Sequence, residues 1–287
     1  MLFQIAHQAF HPHRQWAVLL VLLLCCAACA RQSAQPPTAT PTGDWKLVWA
    51  DEFDAPDGSA VDETRWSFNT GGGGWGNGEW QNYTDRTDNA CVEGGALVIR
   101  AQREDYGRSR YTSARLVTRD KGDWLYGRIE VRAKLPYGQG IWPAIWMLPT
   151  DSEYGGWPRS GEIDIMELVG HEPARVHGTL HYGGPHTYTG DYYDLPEGET
   201  FADDYHTFAL EWEPGEMRWY VDGYHYQTQR EWFTSSTKGT LHAPFDRRFH
   251  LLLNVAVGGA WPGFPDDTTE FPQFMYVDYV RVYQKED

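Results

Sequence analysis

From Trp45 onward, apolar residues recur at every second position over short runs, and Gly, Pro, Asn and Asp separate the runs. That alternation sorts side chains onto the two faces of a strand. In Trp124 to Leu135, Leu125, Ile129, Val131, Ala133 and Leu135 alternate with Tyr126, Arg128, Glu130, Arg132 and Lys134, predicting one strand with a core face and a polar face. In Phe249 to Gly258, Leu251, Leu253, Val255 and Val257 share one face, and His250, Leu252, Asn254 and Ala256 the other. Trp142, Ala144 and Trp146 share a face of Ile141 to Leu148. Two hairpins are legible near 205 to 229, with turns at Pro214-Gly215 and Asp222-Gly223. No amphipathic helix, internal repeat or second domain is visible. About a dozen strands at this spacing predict an all-β, two-sheet sandwich.

The stretch Gly161-Glu162-Ile163-Asp164-Ile165-Met166-Glu167-Leu168 breaks the rule in an informative way. Period two puts Glu162 and Asp164 on one face and Ile163 and Ile165 in the core, but drops Glu167 on the wrong side. A one-residue bulge at Ile165-Met166 restores the phase, bringing Glu167 beside the other two carboxylates and Leu168 to the apolar side. Three carboxylates on one face raise one another's pKa, which costs stability unless it performs chemistry. Glycoside hydrolysis needs such a set: one ionised carboxylate as nucleophile or base, and one that keeps its proton for the leaving oxygen. The bland alternative is a charged edge strand that resists aggregation, but edge strands rarely carry so full an apolar reverse face.

The run GEIDIME, preceded by GIWPAIWMLP and followed by HGTLHY, resembles the catalytic segment of glycoside hydrolase family 16, closest to its bacterial endo-β-1,3-glucanases, the laminarinases. The likeness runs from about Trp45 to Tyr283. It implies a concanavalin A-like β-jelly roll whose concave sheet forms the substrate cleft. It implies Glu162 as nucleophile, Glu167 as general acid/base, and Asp164 as a hydrogen-bond partner that sets the nucleophile's protonation. The resulting activity is retaining endo-hydrolysis of β-1,3-glucosidic bonds in laminarin-type glucans by double displacement. Within the family the EIDIME form goes with laminarinases, and the form without the extra residue with lichenases. A mixed-linkage β-1,3-1,4-glucanase is the first alternative. A non-catalytic β-glucan-binding lectin is the other, although relatives of that kind have lost the glutamates retained here.

The same resemblance assigns substrate contacts. Trp75 and Asn77, in a glycine-rich loop too flexible to hold a strand unaided, go to the cleft wall. Arg115 is placed on sugar hydroxyls, Trp157 over the glycone side, His181 beside the acid/base, and Trp261 on a sugar-stacking position. Trp142 and Trp146 read as sugar platforms, and Asn254 joins the substrate-binding set. The chain departs from the common pattern at Gly78, Trp80 and Ala260, where Asn, Leu and Asn are more usual. No HExxH, cysteine cluster or calcium loop is present, and catalysis is expected to need no cofactor. The resemblance implies a structural calcium on the convex face, held by Glu52, Gly95 and Asp278 with backbone carbonyls.

Composition narrows the ligand. The formal charge is −16, and the first 43 residues carry two arginines and no acids, so the body is strongly acidic. Such a surface repels nucleic acid and anionic lipid and favours a neutral β-glucan. The 14 Trp and 17 Tyr exceed what a core needs, and their rings suit the apolar faces of pyranoses. Residues 1–29 read as an export signal: Arg14, then the apolar run Trp16 to Cys26, too short to span a membrane. Cys26-Ala27-Ala28-Cys29 resembles a lipobox with Cys29 lipidated, and Ala28-Cys29-Ala30 alternatively fits ordinary signal peptidase. Residues 30–43, rich in Pro, Thr and Gln, read as a flexible tether, and 44–287 as the catalytic domain. Cys91 is the one cysteine outside the leader, so the domain holds no internal disulfide. The product is expected at the cell envelope or outside it, as a monomer, touching membrane only through a lipid on Cys29.

Overall fold

The computed structural model describes residues 44–286; the export signal, the Cys29 anchor and the tether lie outside the described residues. Two antiparallel sheets of eight strands face each other, with a small parallel pair of Gln81–Tyr83 and Tyr111–Ser113 beside them. The first sheet runs in the order Tyr224–Gln229, Glu216–Val221, His206–Glu213, Gly127–Lys134, Gln273–Lys285, Ala96–Ala101, Ala90–Glu93, with Trp45–Asp51 also on Gln273–Lys285. The second runs His186–Asp194, Arg175–Gly183, Glu162–Glu167, Ile141–Pro149, Phe249–Val257, Arg115–Val117, Ser67–Phe68, with Asp123–Trp124 also on Phe249–Val257. This is the jelly-roll sandwich that the alternating runs predict. Both hairpins near 205 to 229 form, with Asp222 and Gly223 at positive φ of 50° and 79°.

Alternation builds the core. Ile129, Val131, Phe208, Leu210 and Val282 from the first sheet meet Ile145, Ile163, Leu180, Leu251, Leu253 and Val255 from the second. Each side chain of this size contributes about 1.5–3 kcal/mol on burial. The opposite faces of the second sheet's strands are thereby left to form a cleft.

The predicted strand from Trp124 to Leu135 is in fact two strands in different sheets. Asp123–Trp124 pairs with Phe249–Val257, while Gly127–Lys134 lies between His206–Glu213 and Gln273–Lys285. The chain turns the corner at Tyr126 and Gly127, with φ of 63° and 139°, and a Cβ on Gly127 would sit 2.6 Å from the Tyr283 carbonyl. Leu125, expected in the core, is exposed at that corner. The polar face is not solvated either. Arg128 donates to Glu130 at 2.8 Å and to Glu211 at 3.0 Å, and Tyr279 donates to Glu130 at 2.9 Å, so the network shields its own charges.

Candidate active site

The bulge is present where the phase requires it. Trp146 pairs with Asp164 but Ile145 with Met166, leaving Ile165 unpaired; on the other side Asp164 and Glu167 oppose Thr179 and His177, with only Gly178 between. Ile165, Met166 and Leu168 are buried. The first sheet holds the bulge from below: Trp219 Nε1 donates to the Asp164 carbonyl at 2.9 Å. Gly178 leaves room for that indole, since a Cβ there would lie 2.5 Å from Trp219 Cδ1 and 2.6 Å from the Tyr226 hydroxyl.

Register then assembles the face. Arg115, Asn254, Ala144, Glu167, His177 and Tyr192 form one row across six strands, and Glu162, His181 and Tyr188 a shorter one. Each glutamate receives one indole N–H. Trp157 Nε1 donates to Glu162 Oε2 at 2.9 Å, and Trp142 Nε1 to Glu167 Oε1 at 3.0 Å. Trp261 meets Trp142 edge-on, with ring centroids 5.5 Å apart, and His177 at 5.0 Å. Farther along, the Arg115 guanidinium sits 4.8 Å from the Trp75 ring and 4.6 Å from the Trp146 ring, and Trp146 Nε1 donates to Asn254 Oδ1 at 2.7 Å.

Two expectations change in detail. His181 stands opposite Glu162, its Nε2 3.2 Å from Asp164 Oδ2; the histidine opposite Glu167 is His177. Asp164 Oδ2 has no hydrogen-bond partner, so this oxygen does not hydrogen-bond Glu162. The charge of Asp164 does act on Glu162 through space. Burial, and next the Asp164 charge, push Glu162 up to about 8, while His181, the Trp157 N–H and Arg115 pull it down. Burial drives Asp164 well above the usual carboxylate range. Glu167 goes well above it too, by burial and then by the charges of Asp164 and Glu162. Burial thus raises all three carboxyls, while His181 and one indole N–H pull each glutamate back and Arg115 adds to that pull at Glu162.

The structure adds residues that sequence reasoning missed. Glu79 accepts from Asn77 Nδ2 at 3.0 Å and from Gln81 Nε2 at 2.5 Å, and Gln81 Oε1 accepts the Val257 N–H at 2.8 Å. Burial raises the Glu79 carboxyl. This chain ties the glycine-rich loop to the cleft strands, and the Ala260 N–H, donated to the Asn77 carbonyl at 2.9 Å, ties it to the loop that follows Phe249–Val257. The polar alternation Asn77, Glu79, Gln81, Tyr83 was the available signal. His186, whose Nε2 lies 2.9 Å from His181 Nδ1, lies tilted against Trp157 with ring centroids 4.7 Å apart.

The residues assigned to calcium lie on the first sheet. Asp51 pairs with Val280 and Leu97 with Val277, which brings Glu52 and Gly95 to the stretch around Asp278. Oxygen donors of this kind suit calcium. Arg281, however, donates to both Glu52 oxygens at 2.8 and 2.7 Å, and Arg132 pairs with Asp278 at 2.7 Å. The donor set fits calcium in type, and its two carboxylates are matched here by guanidinium groups.

Comparison with known proteins places this geometry. Residues 77–281 match the family described as Glycosyl hydrolases family 16. A Beta-glucanase of Rhodothermus marinus is 49% identical over 249 residues, covering 84% of this chain and 85% of that protein. The Glucan endo-1,3-beta-glucosidase A1 of Niallia circulans is 41% identical over 87% of this chain, which spans 39% of that longer protein. Among solved structures, the laminarinase catalytic domain of Thermotoga maritima superposes with a TM-score of 0.77 at 47% identity, over 85% of this chain and all of that domain (100%).

Proposed function

The chain belongs to glycosyl hydrolase family 16, and from that premise we propose how it works as an endo-β-1,3-glucanase acting on laminarin-type glucans. The observation that carries the mechanism is the pairing of Glu162 and Glu167 on one face of the bulged strand, each with a single indole donor and each raised by burial. In the reactive state Glu167 holds its proton and Glu162 is ionised. Its free oxygen attacks the anomeric carbon as Glu167 gives its proton to the departing glycosidic oxygen, and a glycosyl ester forms on Glu162. Esterification removes the Glu162 charge, one of the causes that raise Glu167. Glu167, its proton gone, is then a carboxylate poised to take a proton from water, which attacks the same carbon and expels Glu162. Retention of configuration follows from two inversions.

Asp164 keeps the pair coupled, and Arg115, Asn254, Trp75 and Trp146 form a polar and aromatic wall that binds sugar units away from the cleaved bond. Trp157, Trp142 and Trp261 border the reacting carboxyls. Reducing-end release from laminarin and from barley mixed-linkage glucan, measured side by side, tests the reading, with Glu162→Gln as control. Laminarin cleavage abolished in the variant supports it. Activity confined to the mixed-linkage polymer would move the substrate and leave the mechanism; binding without cleavage of either would point to a lectin.

Three further proposals concern the molecule around the site. Calcium held by Glu52, Gly95 and Asp278 supplies stability and no chemistry; chelator should lower the melting temperature, and an unchanged melt removes it. The leader exports the enzyme and Cys29 carries the lipid that holds it at the envelope; palmitate labelling tests this, and an unlabelled, freely released product refutes it. The enzyme works as a monomer, which light scattering checks.

A further inference from the structure

One donor atom each from Glu162, Asp164 and His181 lies within 4.8 Å of the other two. Glu162 and Asp164 are two residues apart on one strand, and His181 is the cross-strand partner of Glu162. Asp164 is 2% exposed, and its Oδ2 lacks a hydrogen-bond partner. His181 Nε2 stands 3.2 Å from that oxygen without hydrogen-bond direction. Two donors on a tetrahedral shell, each roughly 2.0–2.1 Å from the metal, are about 3.3 Å apart. A contact that makes no hydrogen bond therefore has the length of one edge of a coordination tetrahedron. The other imidazole nitrogen, Nδ1, is 2.9 Å from His186 Nε2, an outer contact of the kind that fixes a metal-binding histidine.

We propose that Glu162, Asp164 and His181 form an inhibitory site for a divalent transition metal of the Zn²⁺ type, in which the ion takes the oxygen that would attack the sugar. Binding rests on the cluster alone; inhibition rests also on Glu162 being the nucleophile. One nitrogen and two oxygens, with an open fourth position, suit Zn²⁺ or Co²⁺. Calcium and magnesium demand six or more oxygen donors. Metal–ligand bonds form as the carboxyl protons pass to solvent, so affinity rises with pH. Trp157 occupies Glu162 Oε2, which leaves the other oxygen for the ion. The ion and a bound glucan compete for the same face.

The test is Zn²⁺ titration calorimetry on the full chain without a polyhistidine tag, beside Co²⁺ absorption in the visible region. His11, His13, Cys25, Cys26 and Cys29 of the leader can take the same ions, so the reading is a difference between chains that differ at one residue. Expected is a binding event weakened at least about tenfold in both His181→Gln and Asp164→Asn and preserved in Glu167→Gln, with tetrahedral Co²⁺ bands lost in the first two. Zn²⁺ should inhibit laminarin hydrolysis, and a laminari-oligosaccharide should weaken the ion's binding to the wild-type chain. Circular dichroism establishes that the variants are folded. Equal affinity in wild type, His181→Gln and Asp164→Asn overturns the site. A His181-dependent site in a chain that hydrolyses no glucan would leave the metal proposal standing and remove the enzymatic one.

Discussion

Replacing Trp157 by Phe removes one hydrogen-bond donor and keeps an aromatic face. The indole N–H donates to Glu162 Oε2 at 2.9 Å and is among the causes that pull this carboxyl down from where burial would put it. A hydrogen bond to a charged group is worth about 1.5–3 kcal/mol. The Trp157 side chain is 55% exposed, so water replaces much of the lost donor and about 1 kcal/mol is the better figure. Dividing by 1.36 kcal/mol per pKa unit gives a rise of about 0.7 unit. The sign follows because the bond favours the ionised form: without it Glu162 ionises at higher pH. The acid limb of kcat/KM should move up by that amount, whereas the alkaline limb, which the proposed mechanism assigns to Glu167, should stay. At pH well below the limb the variant should be about fivefold slower than wild type, and the gap should close on the alkaline side. A loss equal at all pH values would mean that Trp157 acts only by stacking on sugar, and the proton argument would fail.

Trp142→Phe is the mirror case: losing the N–H on Glu167 should move the alkaline limb of the kcat/KM profile upward and leave the acid limb in place. Gly178→Ala puts a Cβ against Trp219 and Tyr226 under the bulge, and should lower stability by about 1–3 kcal/mol, read as a fall of several degrees in the melting temperature. Glu79→Ala frees Asn77 and Gln81, and steady-state kinetics should show KM for laminarin rising about fivefold, about 1 kcal/mol, with kcat little changed. Glu162→Gln should raise the melting temperature more at pH 8 than at pH 5. The folded-state pKa is raised from 4.5 to about 8, so the stability contributed by the protonated carboxyl is present below the unfolded value and lost as pH rises through the folded one. A melting difference independent of pH would contradict that.

Much of the molecule was legible one strand at a time. Alternation in Phe249 to Gly258 and Ile141 to Leu148 identified the faces correctly, because period two is a local property of the extended chain. The out-of-phase Glu167 likewise announced the bulge, since a carboxylate between Met166 and Leu168 either points into the core or shifts the register. What crosses between strands was not legible. The alternation of Trp124 to Leu135 runs through a corner between two sheets, and nothing local marks the close approach of Gly127 to the Tyr283 carbonyl. Which histidine faces which carboxylate depends on a pairing offset that the bulge itself alters. The charges of Arg128 and Glu130 read only as a polar face, yet they close on partners more than 80 positions away. Residue types, faces and the interruption in phase were thus determined by the sequence alone. Register and burial were decided by the tertiary structure, and with them the raised proton affinities of the clustered carboxyls, because desolvation and coupling depend on neighbours that only the packed sheets supply.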